Sequence, residues 1–243
     1  MSGLHASISA VVDLSHPLST MTPCHPAANP PTVATVAEFA RDGCFAGRWS
    51  LDEHTGTHVD APAHFTVDGR SVDAIPAADL VLSAGLVDIR WRVRRSVDAV
   101  VEIDDILDWE RVHGPLPSPG VVIALTGWAE RIGARRAYLG LDADDRPHWP
   151  GFGAATADFL AAERPQVCAL GIDTPSLDSA TNERAGSAVH RSWLRGRRFG
   201  LENLTNLTRM PVAGGVVVVG VPAFVGGSGG PARVLGLIPT APE

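Results

Sequence analysis

The 243-residue sequence predicts one domain of the α/β class, with α+β as the alternative. Three observations carry that expectation. Continuous apolar runs of strand length recur at residues 120–127, 167–172 and 216–221, as expected of strands buried on both faces. Strong helical signals are few. The clearest is residues 154–163, Ala-Ala-Thr-Ala-Asp-Phe-Leu-Ala-Ala-Glu, built of good helix formers with Pro165 just past its end. No Ser/Gly-rich or charged tract divides the chain. A composition of 45% hydrophobic and 19% charged residues suits one large core, so the domain is expected to span residues 1–243.

The elements follow in order. Residues 8–14 read as a first strand, then a proline-rich loop runs to Pro31. Proline fixes φ at low entropic cost, so this loop is expected to be an ordered wall. It contains the isolated histidine His25, and His16 precedes it; a lone histidine is more often structural than a ligand. Residues 47–53 are expected to lead as a strand into residues 54–65, with a turn at 67–70 and a short helix or loop at 76–79. Residues 84–93 read as a strand and residues 102–110 as a helix, with apolar positions at 103, 106 and 107. The strand at 167–172 closes on Asp173, which fits a functional carboxylate and a loop cap equally well. Ser176 lacks the flanking glycines of a serine-hydrolase elbow. The run at 226–230 lacks the Lys-Ser/Thr of a phosphate loop and reads as a turn or a site wall, before a last strand at 233–238.

Several function classes are disfavoured. A net charge of −7 without a basic stripe argues against nucleic acid as a partner. The longest apolar stretch, residues 212–225, is interrupted by Gly214, Gly215, Gly220 and Pro222, so no membrane span is expected. Three widely spaced cysteines form neither a metal clip nor a disulfide framework, and the N-terminus lacks a signal-peptide pattern. A reducing, cytoplasmic location and a small-molecule substrate are the expectation.

The densest chemistry lies in residues 54–65, His-Thr-Gly-Thr-His-Val-Asp-Ala-Pro-Ala-His-Phe. Gly56, the β-branched Thr55, Thr57 and Val59, and Pro62 all disfavour a helix here. In an extended strand His58 and Asp60 point the same way, and Gly56 lets the backbone bend so that His54 reaches the same point. Imidazole and carboxylate together suit zinc, manganese or iron(II) rather than calcium. The competing reading is a polar surface loop. It requires three imidazoles in one short window for no shared purpose, although the chain has only nine histidines.

This His-x-Gly-Thr-His-x-Asp-x-Pro-x-His pattern resembles the hallmark of the metal-dependent cyclase-like hydrolases, a family that includes bacterial kynurenine formamidase and isatin hydrolase. The resemblance extends over most of the chain, through residues 13–18, 125–128, 171–176, His190 and residues 202–207. It implies a mixed, barrel-like β-sheet core with peripheral helices, usually in a homodimer or homotetramer. It also implies that His54, His58 and Asp60 bind a first divalent ion, zinc or manganese. His190 and Glu202 would bind a second ion with Asp60 bridging, giving one or two ions per chain, and His64 would be the catalytic acid/base. Formamidase members carry a tryptophan in the proline-rich loop where this chain has His25. That departure and the Asp173-Thr-Pro-Ser-Leu-Asp178 stretch look closer to the isatin-hydrolase branch. His25 and Trp128 are expected to contact substrate. The implied reaction is hydrolysis of a C–N amide bond in a cyclic amide or aryl formamide. The alternatives are a biosynthetic cyclase or dehydratase using the same Lewis acid, and a non-catalytic metal-dependent binding protein.

Overall fold

The apolar runs become the centre of one curled sheet. The computed structural model describes residues 7–240. In chain order the strands are β1 (Ile8–Asp13), β2 (Thr32–Ala37), β3 (Ala46–Ser50), β4 (His58–Asp60), β5 (Val81–Asp88), β6 (Val100–Val101) and β7 (Gly120–Leu125). They continue with β8 (Gly151–Phe152), β9 (Val167–Ile172), β10 (Phe199–Glu202), β11 (Ala213–Gly220), β12 (Gly229–Pro231) and β13 (Arg233–Pro239). Nine of them form a mixed half-barrel sheet in the order β1-β13-β11-β5-β7-β9-β10-β4-β12. Strands β5, β7, β9 and β10 are parallel, and antiparallel pairs extend the sheet on both sides. Strands β2 and β3 pair outside this sheet, as do β6 and β8.

Strands β7 and β9 are buried along their whole length, as their sequences predict. Side chains alternate between two cores: Val121, Ile123 and Leu125 face one, Val122 and Ala124 the other. The second core is closed by Ile106 and Trp109 of helix Ile103–His113, Ala157 and Leu160 of helix Ala154–Glu163, and Val189 and Trp193 of helix Ala188–Trp193. Each large aliphatic side chain so buried contributes about 1.5–3 kcal/mol.

Two expectations are corrected, and one that was open is decided. The strand placed at residues 84–93 ends at Asp88, and Arg90–Val93 form a helical turn. The Asp88 carboxylate accepts the Arg90 amide at 3.0 Å and pairs with its guanidinium, which turns the chain away from the sheet. The strand placed at 47–53 stops at Ser50 and belongs to the exposed β2–β3 pair, not to the main sheet. Asp173 is a loop cap: it accepts from the amides of Thr126, Gly127 and Trp128 and from the Thr126 hydroxyl. Among the described residues no helix is long and apolar enough to cross a membrane.

Candidate metal centre

Strand β4 lies between β10 and β12, and its pleat sends His58 and Asp60 to the same side. Gly56, with φ of 64°, makes the bend before it. A Cβ at this glycine would meet only the movable tip of Leu18, so it is the left-handed conformation that calls for glycine. The bend returns His54 to the strand, where its Nδ1 lies 2.6 Å from Asp60 Oδ1. Strand β10 sets Glu202 directly opposite His58. Helix Ala188–Trp193 delivers His190, whose Nε2 is 3.1 Å from Glu202 Oε1 and 3.4 Å from Asp60 Oδ2. His58 Nε2 lies 3.2 Å from Asp60 Oδ1 and 3.3 Å from Glu202 Oε2. The five residues placed by the sequence as ligands therefore converge, in two overlapping triads that share Asp60.

Each imidazole is held by its far nitrogen. His54 Nε2 meets Ser228 Oγ at 2.9 Å, and that hydroxyl donates to Glu53. His58 Nδ1 donates to Gly56 O at 2.9 Å, a carbonyl that also accepts from Asn203 Nδ2. His190 Nδ1 lies 2.7 Å from Asp178 Oδ2, and the same carboxylate accepts the amides of Val189 and His190. With these partners fixed, His54 Nδ1, His58 Nε2 and His190 Nε2 all turn toward the two carboxylates. This is the outer-shell arrangement that orients metal-ligating histidines. Asp60 Oδ2 is buried and has no hydrogen-bond partner among the described residues, an unmet acceptor at the meeting point of the triads. The mixed N/O donor set fits zinc or manganese.

The electrostatics agree. Burial opposes charge on His58, but Asp60 and Glu202 prevail and push its imidazole up to about 10. His190 is likewise raised against its burial, through Asp178, Asp60 and Glu202. Asp60 is held well below the usual carboxylate range: burial would raise it, yet His58, His190 and His54 prevail. Without an ion, both shifts act toward protonated imidazoles facing the carboxylates.

His64 differs. The turn Pro62–His64, with proline at its first position, folds the chain back and stacks its ring on His54 at 3.9 Å. Neither ring nitrogen is bonded to another described residue. Although the residue as a whole keeps solvent exposure, burial of its imidazole in the cleft, against the pull of Asp60 and with His54 and His190 nearby, holds the ring below its ordinary value.

A cavity of about 380 Å³ opens onto these residues. Phe65, Ala27, Ala28 and Pro175 form apolar walls, and His25, Asp52 and Glu183 line it as well. His25 is therefore at the cavity, but Trp128, expected as a substrate contact, is not. Its ring is 1% exposed, donates through Nε1 to Tyr138 O and packs under Arg131, because the loop after β7 turns inward beneath Asp173. Of the other large aromatic residues, Trp193 and Phe152 are core residues, and Trp49 lies on the exposed β2–β3 pair. Sequence reasoning missed Asp178, Ser228, Glu53 and Glu183. Asp178 stood at the end of the Asp-Thr-Pro-Ser-Leu-Asp stretch already singled out and Ser228 within the 226–230 run read as a turn or a site wall, whereas Glu53 and Glu183 carried no signal.

A family model described as a putative cyclase matches residues 12–179. The chain belongs to the cyclase family. Within it, an isatin hydrolase of Roseibium aggregatum is 28% identical over 217 residues, covering 85% of this chain and 80% of that protein. The structure of isatin hydrolase A from Ralstonia solanacearum superposes with a TM-score of 0.86 at 31% identity, covering 94% of this chain and 92% of that one. An isatin hydrolase bound to the product analogue thioisatinate gives a TM-score of 0.87 at 26% identity, covering 95% and 92%. This cyclase-family chain thus shares its fold with isatin hydrolases over 94–95% of its length.

Proposed function

We propose that the protein is a metal-dependent hydrolase that opens the C–N bond of a compact cyclic or aryl amide, with isatin-like lactams as the favoured class. One observation carries the reading: three imidazoles, each fixed by its far nitrogen, aim their remaining nitrogens at Asp60 and Glu202 beside a cavity. The isatin hydrolases among its relatives support the C–N bond as the target. His54, His58 and Asp60 would hold one divalent ion, and Asp60, His190 and Glu202 a second. Bound there, the metal supplies a Lewis acid and a water whose pKa falls from about 15.7 to about 7.

The chain's own groups supply the remainder. Phe65, Ala28 and Pro175 place a flat apolar molecule and exclude water around it. His64 has free nitrogens and is held neutral at pH 7, so it accepts the proton of the attacking water and returns it to the leaving nitrogen. A ligand imidazole would have one nitrogen committed, so His64 is the histidine of the cleft left for this task.

Elemental analysis of the purified protein, with turnover of isatin and of an aryl formamide with and without Zn²⁺ or Mn²⁺, tests the reading. Bound metal with ring opening of isatin supports it. Metal with no amide turnover would replace it with Lewis-acid cyclisation, and failure to bind any divalent ion would end it.

A further inference from the structure

The cavity has a second polar feature that metal binding does not use. Glu183, on the short helix Ala180–Arg184, lines it together with His25 of the proline-rich loop. The Ala27 amide donates to His25 Nδ1 at 3.3 Å, which leaves the ring proton on Nε2. That Nε2–H donates to Glu183 Oε1 at 2.6 Å. Glu183 Oε2 has no partner among the described residues and is itself buried. A carboxylate accepts about four hydrogen bonds, and this one receives a single donor among the described residues. His25 is thereby fully used. It fixes the carboxylate and offers only ring surface, backed edge-on by Trp149.

Oε2 is already closed off from water, and a substrate entering this cavity covers the rest of the Glu183 side chain, which is 23% exposed. An unpaired carboxylate in such a place is unfavourable, so the substrate that binds well must bring a donor. This step rests on the proposed amide class. Isatin-like lactams and aryl formamides share one polar hydrogen, the amide N–H, while their carbonyl oxygens would face the carboxylate with like polarity. We infer that Glu183, positioned by His25, is the specificity-determining acceptor for the substrate's amide N–H. The enzyme therefore selects secondary amides and lactams over N-alkylated amides and over lactones. The same contact sets orientation, because N–H toward Glu183 directs the carbonyls away from it.

Comparison of isatin with N-methylisatin, and of oxindole with N-methyloxindole, tests this. The first pair is followed by turnover and the second by calorimetric binding to the full-length protein. Loss of a hydrogen bond to a charged acceptor predicts a wild-type preference for the N–H compound of about 10- to 100-fold in both measurements. In Glu183→Gln, His25 Nε2–H takes the amide oxygen and the NH₂ group is left facing the substrate, so the preference falls to near one. A purely structural role for Glu183 would lower both compounds alike and leave the ratio unchanged, which would overturn the inference. So would a wild-type ratio near one, or no binding of either oxindole. Binding of oxindole with the expected ratio but no turnover of any amide would sink the proposed reaction and leave the Glu183 contact standing.

Discussion

At the scale of single residues, the cleft divides its histidines by what their nitrogens already do. His54, His58 and His190 each spend one nitrogen on a structural partner and aim the other at a carboxylate. His64 spends neither. His64→Ala should therefore lower kcat by about 10²–10⁴-fold and leave metal content unchanged. Asp60→Ala should lose both, since Asp60 belongs to both triads. Equal metal loss in the two variants, read by elemental analysis, would remove His64 from the acid/base role. Asp178→Ala tests the outer shell. It leaves the donor set untouched, but it frees His190 Nδ1 and the first amides of that residue's helix. Metal affinity should fall about 10- to 100-fold, and an unchanged Kd would show that His190 needs no orienting partner.

At the scale of elements, the site depends on how closely β12 and β10 hold β4. Gly229 sits opposite Asp60, and a Cβ there would collide with Val59 O and press on the His54 ring. Gly229→Ala should destabilise the fold by about 1–3 kcal/mol, measured from denaturant midpoints, and weaken metal binding by displacing His54. Stability lost with metal affinity intact would mean that β12 yields without moving the ligand. The same three strands show what sequence makes legible. His54, His58 and Asp60 can be read because strand alternation and one glycine bring near neighbours together. Glu202 and His190 reach the site through tertiary pairing, across more than a hundred residues, and only the family resemblance pointed to them. Asp178, Ser228 and Glu53 are ordinary polar residues until the fold sets them behind an imidazole. Strand β2 went unread, and the sheet to which β3 belongs was misjudged, for a simpler reason. Strand β2 (Thr-Val-Ala-Thr-Val-Ala) is exposed except for its last residue and β3 along its whole length, so there was little apolar alternation to read. Trp128 misled in the opposite direction, since a tryptophan at the end of a central strand suggests a pocket wall until the loop cap at Asp173 is seen to fold it into the core.

At the scale of the whole molecule, the site couples folding to protons and to metal. In the metal-free protein His58 is raised from about 6.5 unfolded to about 10 folded. A raised folded value gives stability that is fully present below about pH 6.5 and is lost as pH climbs toward the folded value. His190 acts in the same direction. Asp60, depressed by the imidazoles, gives stability that is present above about pH 4 and lost on further acidification. The metal-free fold should thus draw most from this cluster between about pH 4 and 6.5, and less at each step above. Metal reverses the trend, because a ligating imidazole must be neutral and binding must expel the protons that His58 and His190 carry. The gap in Tm between metal-bound and metal-free protein should therefore widen from pH 6.5 to 9. At pH 7, calorimetry in buffers of different ionisation heat should detect release of on the order of one to two protons per chain on binding. If the gap stays constant and no proton is released, His58 and His190 are neutral before the metal arrives. The carboxylates Asp60 and Glu202 would then face each other uncompensated in the metal-free fold, and that fold would be markedly less stable than its core predicts.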